Sequence, residues 1–346
     1  MNHYPSNGKE KLNSIILSMA EHHWLFSKNP GHDFTRQHLG KLSFYDTMRL
    51  IISMGKGSTN DEIMDYFDLD PDLIPSQSAF CQRRRQISLS AFEYLFSEFS
   101  SSFPSTTDKF KDHCILACDG CHVVYATNSD IIEDYNKPRL IDYKGYNHMH
   151  LNGFVDVISK AFLDVVIQPG QQPDEREALH SMLDHFTPDD PQKYIITADR
   201  GYESYDLLFH CELKNLGYVF RVKSPSSQKS ILSYYASEFP DDLEEFDVTI
   251  KRFFTDKATN IMKSQSDVYR YINPSKNTPH FYELLRKNHS HLYFLQFRVV
   301  KIKTAGISKT GNLFPPDSVQ FLHFYCKRSG RRKPEKETGW QQQVSL

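Results

Sequence analysis

The 346-residue sequence predicts an α/β protein: a mixed sheet with flanking helices, preceded by an all-α N-terminal domain and carrying an insertion. Three observations lead there. Apolar residues recur at helical spacing as far as residue 105, the pattern then turns to short β-rich runs, and two amphipathic helices interleave with those runs. The expected organisation is a helical domain at 1–105, a core at 106–229, an inserted mixed or β segment at 230–304 and an irregular tail at 305–346.

In the first domain, Leu39, Leu42, Phe44, Met48, Ile51 and Ile52 fall on one helix face, and Ala91, Phe92, Leu95, Phe96 and Phe99 on another. Between them lies a helix, turn, helix pattern. Thr59 and Glu62 suit a capping box ahead of Ile63, Met64 and Phe67, residues 68–75 break the chain, and Ser76 caps a second helix. That helix turns Ala79, Phe80 and Ile87 inward and Gln82, Arg83 and Arg85 outward, with Arg84 completing a basic run. Two readings stand together here: a DNA-binding pair whose Arg83, Arg84 and Arg85 meet a groove, and a plain corner of a helical bundle.

Residues 105–108 read as a linker, and strands are expected at Cys114 to Asp119, Met149 to Ile158, Phe162 to Gln168, Tyr194 to Asp199 and Gly217 to Lys223. One helix starts at the capping residue Asp174, with Glu177 returning the bond, and buries Ala178, Leu179, Met182, Leu183 and Phe186. A second spans Glu203 to Leu216 and stops at Gly217. The order is three strands, helix, strand, helix, strand. Neighbouring early strands suit antiparallel pairing, whereas strands separated by a helix imply a parallel crossover.

Bulk properties exclude several classes. Hydrophobic residues make up 39% and charged residues 24%, the balance of an ordinary globular chain. No apolar run spans a membrane and the start resembles no signal peptide, so the expected setting is the cytoplasm, where six cysteines stay reduced. A net charge of −2 gives no global attraction to a polyanion. Any nucleic-acid surface must come from local clusters, such as Arg83 to Arg85 and the basic tail around Lys327, Arg328, Arg331 and Arg332.

Two apolar strands, ending in Asp119 and Asp199, carry the chemistry. Carboxylates on neighbouring strands repel unless a divalent cation lies between them, and hard oxygen ligands suit Mg²⁺ or Mn²⁺. Paired cations of this kind drive in-line phosphoryl displacement.

The run from Ile196 to Tyr205, with Asp199-Arg200-Gly201-Tyr202 at its centre, resembles the second signature of insertion-sequence transposases of the Asp-Asp-Glu type, which have a ribonuclease H-like core. Ala117 to Gly120 resembles the first signature, and Gln168-Pro169-Gly170 with Asp174 to Leu179 resembles the segment between them. Gly145 to Asn152 and Tyr218 to Lys223 match as well, in the same order. The resemblance implies that Asp119 and Asp199 are catalytic metal ligands holding Mg²⁺ or Mn²⁺. It gives Arg200 and Tyr202 to phosphate contact or support of the site. It also implies cleavage at transposon ends, strand transfer into target DNA, no membrane partner, and a homodimer on DNA as the candidate assembly.

The family's third carboxylate stands in a helix of the form Tyr-x-x-Arg-x-x-x-Glu-x-x-x-x-x-x-Lys. Here Tyr325 and Arg328 have the opening spacing, but Arg332 and Gly339 occupy the Glu and Lys positions. The expectation is a chain cut short by a frameshift or stop after Val319, with Glu283, Glu335 and Glu337 as substitute ligands. Three functions follow from that departure: a transposase, a catalytically dead DNA-binding remnant, or another ribonuclease H-like nuclease. Cys118-Asp119-Gly120-Cys121-His122 has the form of a haem-attachment motif, but such attachment needs export. Cys114, Cys118, Cys121 and His122 lack the second cysteine pair of a zinc site, and His148 with His150 suits hydrogen bonding or DNA better than a metal.

Overall fold

The computed structural model describes residues 8–35, 42–102, 109–137, 145–240, 243, 245–273, 278–303 and 319–325. The chain divides into two compact units, one of Met1–Lys109 with Gly153–Val165, the other of Phe110–Asn152 with Val166–Leu346. The contact boundary thus falls a few residues beyond the 105–106 division, and the tip of one hairpin groups with the helical unit.

Among the described residues the first unit contains five α-helices, α1 (Gly8–Glu21), α2 (Phe44–Ser53), α3 (Thr59–Tyr66), α4 (Gln77–Gln86) and α5 (Ser90–Ser101). Ile16, Met19, Phe44, Met48, Ile87 and Ala91 form one core, and Leu42, Leu50, Ile63 and Phe80 a second one beneath α3 and α4. Leu39 and the 105–108 linker lie outside the described residues.

Capping departs from the sequence reading in one place. Ser58, not Thr59, caps α3 through the Asp61 amide, while Glu62 turns back to accept from the amides of Gly55 and Gly57 at 2.9 and 2.8 Å. The Glu62 carboxylate thus serves the loop before the helix, one oxygen to each glycine amide, and leaves the cap to Ser58. Ser76 does cap α4, accepting from the Ala79 amide at 3.2 Å.

The second unit holds one sheet together. Its strands are β1 (Cys114–Tyr125), β2 (Tyr135–Asn136), β3 (Tyr146–Asp156), β4 (Phe162–Pro169), β5 (Tyr194–Ala198), β6 (Gly217–Val222), β7 (Phe246–Thr255), β8 (Tyr269–Tyr271), β9 (Leu292–Lys303) and β10 (Val319–Tyr325). Helices α6 (Glu175–His185) and α7 (Tyr205–Leu213) connect the core strands; α8 (Asn260–Ser264) and α9 (Pro279–Lys287) follow. The order is β2-β3-β1-β5-β6-β10-β9-β7-β8, with β4 on β3. β1, β5 and β6 run parallel. The sub-order β4-β3-β1-β5-β6, with helical crossovers before and after β5, is the ribonuclease H-like arrangement.

The segment 230–304, expected as an inserted mixed or β segment, supplies strands β7 and β9, which pair in antiparallel over ten positions and extend the same sheet. One expectation needs correction: 305–346 is not irregular throughout, because 319–325 pairs antiparallel with both β6 and β9. A cluster of Phe209, Leu232, Tyr235, Ile250, Phe254, Phe281, Leu295 and Phe297 seals one side of that extension. Among the described residues no helix is long and apolar enough to cross a membrane.

Candidate active site

β1 and β5 pair in parallel from Cys114 opposite Tyr194 to Cys118 opposite Ala198. Asp119 and Asp199 come next on each chain, so adjacent strands deliver both carboxylates to the same level of the sheet. The strand does not end at Asp119, as the sequence suggested. β1 runs on to Tyr125 while β5 stops at Ala198, so Asp119 sits where β1 leaves its parallel partner. Both side chains are exposed and both are held by a neighbouring amide, Asp119 Oδ1 by the Gly120 N–H at 2.9 Å and Asp199 Oδ1 by the Gly201 N–H at 2.7 Å.

A third carboxylate arrives from α6. A Cβ placed on Gly201 would lie 2.9 Å from Asp199 Oδ1 and 3.0 Å from Glu175 Oε2. Glu175 is the first residue of α6, which Asp174 caps through the amides of Arg176 and Glu177. Its neighbour Arg176 ties the helix to the Asp199 loop, donating from Nε to the Gly201 carbonyl at 3.1 Å. Glu175 escaped the sequence reading because capping explains an acidic first turn without any further role. The signal that could have found it is the glycine at 201, where the chain leaves room for two carboxylates.

The floor of the cluster is buried. Cys118 and Tyr202 are 3% and 0% exposed. Burial pushes the Cys118 thiol up to about 12, against a lowering by its hydrogen bond with Tyr202 and with smaller contributions from the carboxylates of Asp119, Glu175 and Asp199. The Tyr202 hydroxyl is raised further still, by burial and by Cys118, so both groups stay protonated. Tyr202, expected to contact a phosphate or support the site, is fully buried. Arg200 is exposed.

On the β3 side, His150 and Asn152 are buried, and a Cβ on Gly120 would fall 2.4 Å from His150 Nε2 and 3.0 Å from Asn152 Oδ1. Only glycine allows this approach. His150 Nε2 lies 3.3 Å from Glu175 Oε1, outside hydrogen-bond geometry, and both ring nitrogens and Asn152 Oδ1 are left without a hydrogen bond. His122 meets the rings of His148 and His150 edge-on at 4.7 and 4.8 Å. Unsatisfied buried polar atoms beside three converging carboxylates fit a hydrated divalent cation.

The remaining candidates lie elsewhere. Arg83 stacks on Phe34 at 5.2 Å and bonds Gln86, so it is half committed to the fold, whereas Arg84 and Arg85 are exposed on α4. Glu283 is exposed on α9, and no described contact brings it to Asp119 or Asp199. Glu335, Glu337 and the basic tail fall outside the described residues. Cys121 is exposed while Cys114 and Cys118 are buried, so the three thiols share no pocket.

Among solved structures, the chain is similar to the piggyBac transposase in a synaptic complex with hairpin DNA, at 10% identity and a TM-score of 0.35. That match covers 96% of this chain and 54% of the other, so this chain spans about half the length of that transposase. A likeness at that score carries no functional weight. No curated protein matches. Residues 110–295 match the family model described as the transposase DDE domain, the stretch that holds Asp119, Glu175 and Asp199, and the chain belongs to that family.

Proposed function

We propose that this chain is a DNA transposase that cuts transposon ends and joins them to target DNA, with Asp119, Asp199 and Glu175 holding its divalent cations, Mg²⁺ or Mn²⁺. The observation that carries the reading is the convergence at Gly201: two strand carboxylates at one sheet level, joined by a helical one. Bound there, divalent cations supply Lewis acidity for in-line phosphoryl displacement.

The chain's own residues do the positioning. The Gly120 and Gly201 amides hold one oxygen of each aspartate, so the other oxygen of each would be available to a cation. Arg176 fixes α6 against the Asp199 loop, so Glu175 is presented from a rigid element. Arg200 extends its guanidinium into solvent, where a DNA phosphate can accept from it. In the first step a water oxygen bonds to phosphorus as the bond to the 3′-oxygen breaks, and that oxygen takes up a proton. In the second, the freed 3′-hydroxyl loses its proton and bonds to a target phosphorus as the bond to the target's 3′-oxygen breaks, and that oxygen takes up a proton. Arg84 and Arg85, with Arg83 behind them, are the DNA contacts proposed for the helical unit, and a homodimer on DNA is the proposed assembly.

Nicking and strand transfer on a fragment bearing the element's own ends, in Mn²⁺ and in Mg²⁺, tests this. Loss of both reactions in Asp119→Ala and in Asp199→Ala supports the assignment. Full activity in either variant refutes it, and an unmutated chain that binds the ends without cutting them is a DNA-binding remnant.

A further inference from the structure

A second cluster lies on the helices of the same unit. His180 on α6, His210 on α7 and His280 on α9 each offer a ring nitrogen within 4.8 Å of the others. Each ring also turns a nitrogen to a carboxylate. His210 Nε2 lies 3.2 Å from Asp184, His280 Nδ1 lies 2.6 Å from Asp206 Oδ2, and His180 Nε2 lies 3.5 Å from the same oxygen. Asp206 is itself fixed, accepting from the amides of His280 and Phe281 at 3.0 and 3.3 Å.

These contacts set the protons. A neutral imidazole has one donor and one acceptor nitrogen, and the nitrogen facing a carboxylate is the donor. Nδ1 of His280, hydrogen-bonded to Asp206, is the donor, so Nε2 of that ring is the acceptor. Nδ1 of His180 and Nδ1 of His210 meet at 2.9 Å in a hydrogen bond that needs one donor and one acceptor. A cation there would take the place of the shared proton. Carboxylates on the outer nitrogens and lone pairs on the inner ones form the arrangement found around metal-bound histidines.

We propose that His180, His210 and His280 form a zinc site that ties α6, α7 and α9 together. Nitrogen donors select a borderline transition metal over Mg²⁺, which separates this site from the carboxylate cluster. Zinc binds nitrogen at about 2.0–2.1 Å, so two ligands lie at most about 4.2 Å apart. The rings stack within 10–19° of parallel, so binding requires them to turn as well as to shift until three lone pairs meet one ion. Burial, then repulsion from His280, holds His180 down to about 4. Burial with His280, His180 and Lys214 holds His210 down to about 2, so both rings enter the site neutral. His180 and His280 keep 12% and 16% of their side chains exposed, which leaves a path for the ion and room for a water as fourth ligand. The three helices pack in sequence, α6 on α7 and α7 on α9, so the ion closes a contact already made.

The test uses the full chain carrying Asp119→Ala and Asp199→Ala, stripped with a chelator, then titrated with Co²⁺ or Zn²⁺. The expected result is one equivalent bound, a cobalt ligand-field spectrum of a nitrogen-rich site, and a rise in melting temperature. His210→Asn should abolish that spectrum. Asp184→Asn, which removes no ligand, should weaken binding roughly 10- to 100-fold while the circular dichroism stays unchanged. Absence of a saturable cobalt spectrum in the stripped chain overturns the proposal, as does equal binding in folded Asp184→Asn.

Discussion

Nε2 of His150 lies 3.3 Å from Oε1 of Glu175, which brings a buried side chain of β3 beside the first residue of α6. Because Glu175 is about a third exposed, its removal should leave the fold intact while disabling the site. We expect Glu175→Ala to lower nicking by roughly 100-fold or more, the scale of losing one charge-stabilising group, with an unchanged melting temperature. Activity near that of the unmutated chain would place the third ligand on another residue.

Gly201→Ala probes the same centre without removing a charge. The added methyl would fall 2.9 Å from Asp199 Oδ1 and 3.0 Å from Glu175 Oε2, so both carboxylates must move. Displacement of about 1 Å costs on the order of 100-fold in rate. The expected outcome is a folded protein with weak activity and weakened Mn²⁺ binding by titration calorimetry; unaltered turnover would mean these carboxylates do not act together.

Arg200 and Tyr202 should separate cleanly. Arg200→Ala is expected to weaken DNA binding and to reduce the slope of log affinity against log salt by about 0.9, the value for one phosphate contact. Tyr202→Phe should leave that slope unchanged, because the ring is fully buried. A lower slope in Tyr202→Phe would show that the loop opens to bring the hydroxyl to DNA.

Glu203 is a buried carboxylate with a structural role. It accepts from the Ser230 hydroxyl and the Ile231 amide at 2.7 Å each and from the Lys223 amide at 3.1 Å, with Lys223 Nζ 3.4 Å away. Glu203→Ala strands all four donors and should cost about 3–5 kcal/mol in urea denaturation. A loss below about 1 kcal/mol would mean water replaces the carboxylate.

The histidine cluster gives the metal-stripped protein a pH dependence. His180 and His210 titrate below their unfolded value of 6.5, so the unfolded chain binds protons first. Stability should therefore be full above pH 6.5 and fall as the pH drops toward 4, His210 continuing lower. The facing groups are His280 on α9, Asp184 on α6, Asp206 on α7 and Lys214 just beyond it. Denaturation in chelator at several pH values checks this, and His210→Asn should flatten the profile.

Strand and helix alternation was legible because burial imprints a period on the chain, as at Leu116, Ile196 and Phe220 on three neighbouring strands. Asp119 and Asp199 were legible because each follows an apolar run. Other features depend on tertiary partners that no local pattern announces. Glu175 acquires its place from Gly201, 26 positions later, and His180, His210 and His280 come from helices spread over a hundred residues. β10 was missed because a seven-residue strand in a polar surrounding has too little periodicity to stand out.

The position of β10 bears on how the protein can be shortened. Its backbone fills the gap between β6 and β9 and satisfies both ladders. A truncation before Val319 would bare two facing edges in mid-sheet, each a row of unpaired amides and carbonyls. Recombinant fragments that end between Lys303 and Val319 should therefore self-associate through those edges, and soluble expression should call for a boundary beyond Tyr325.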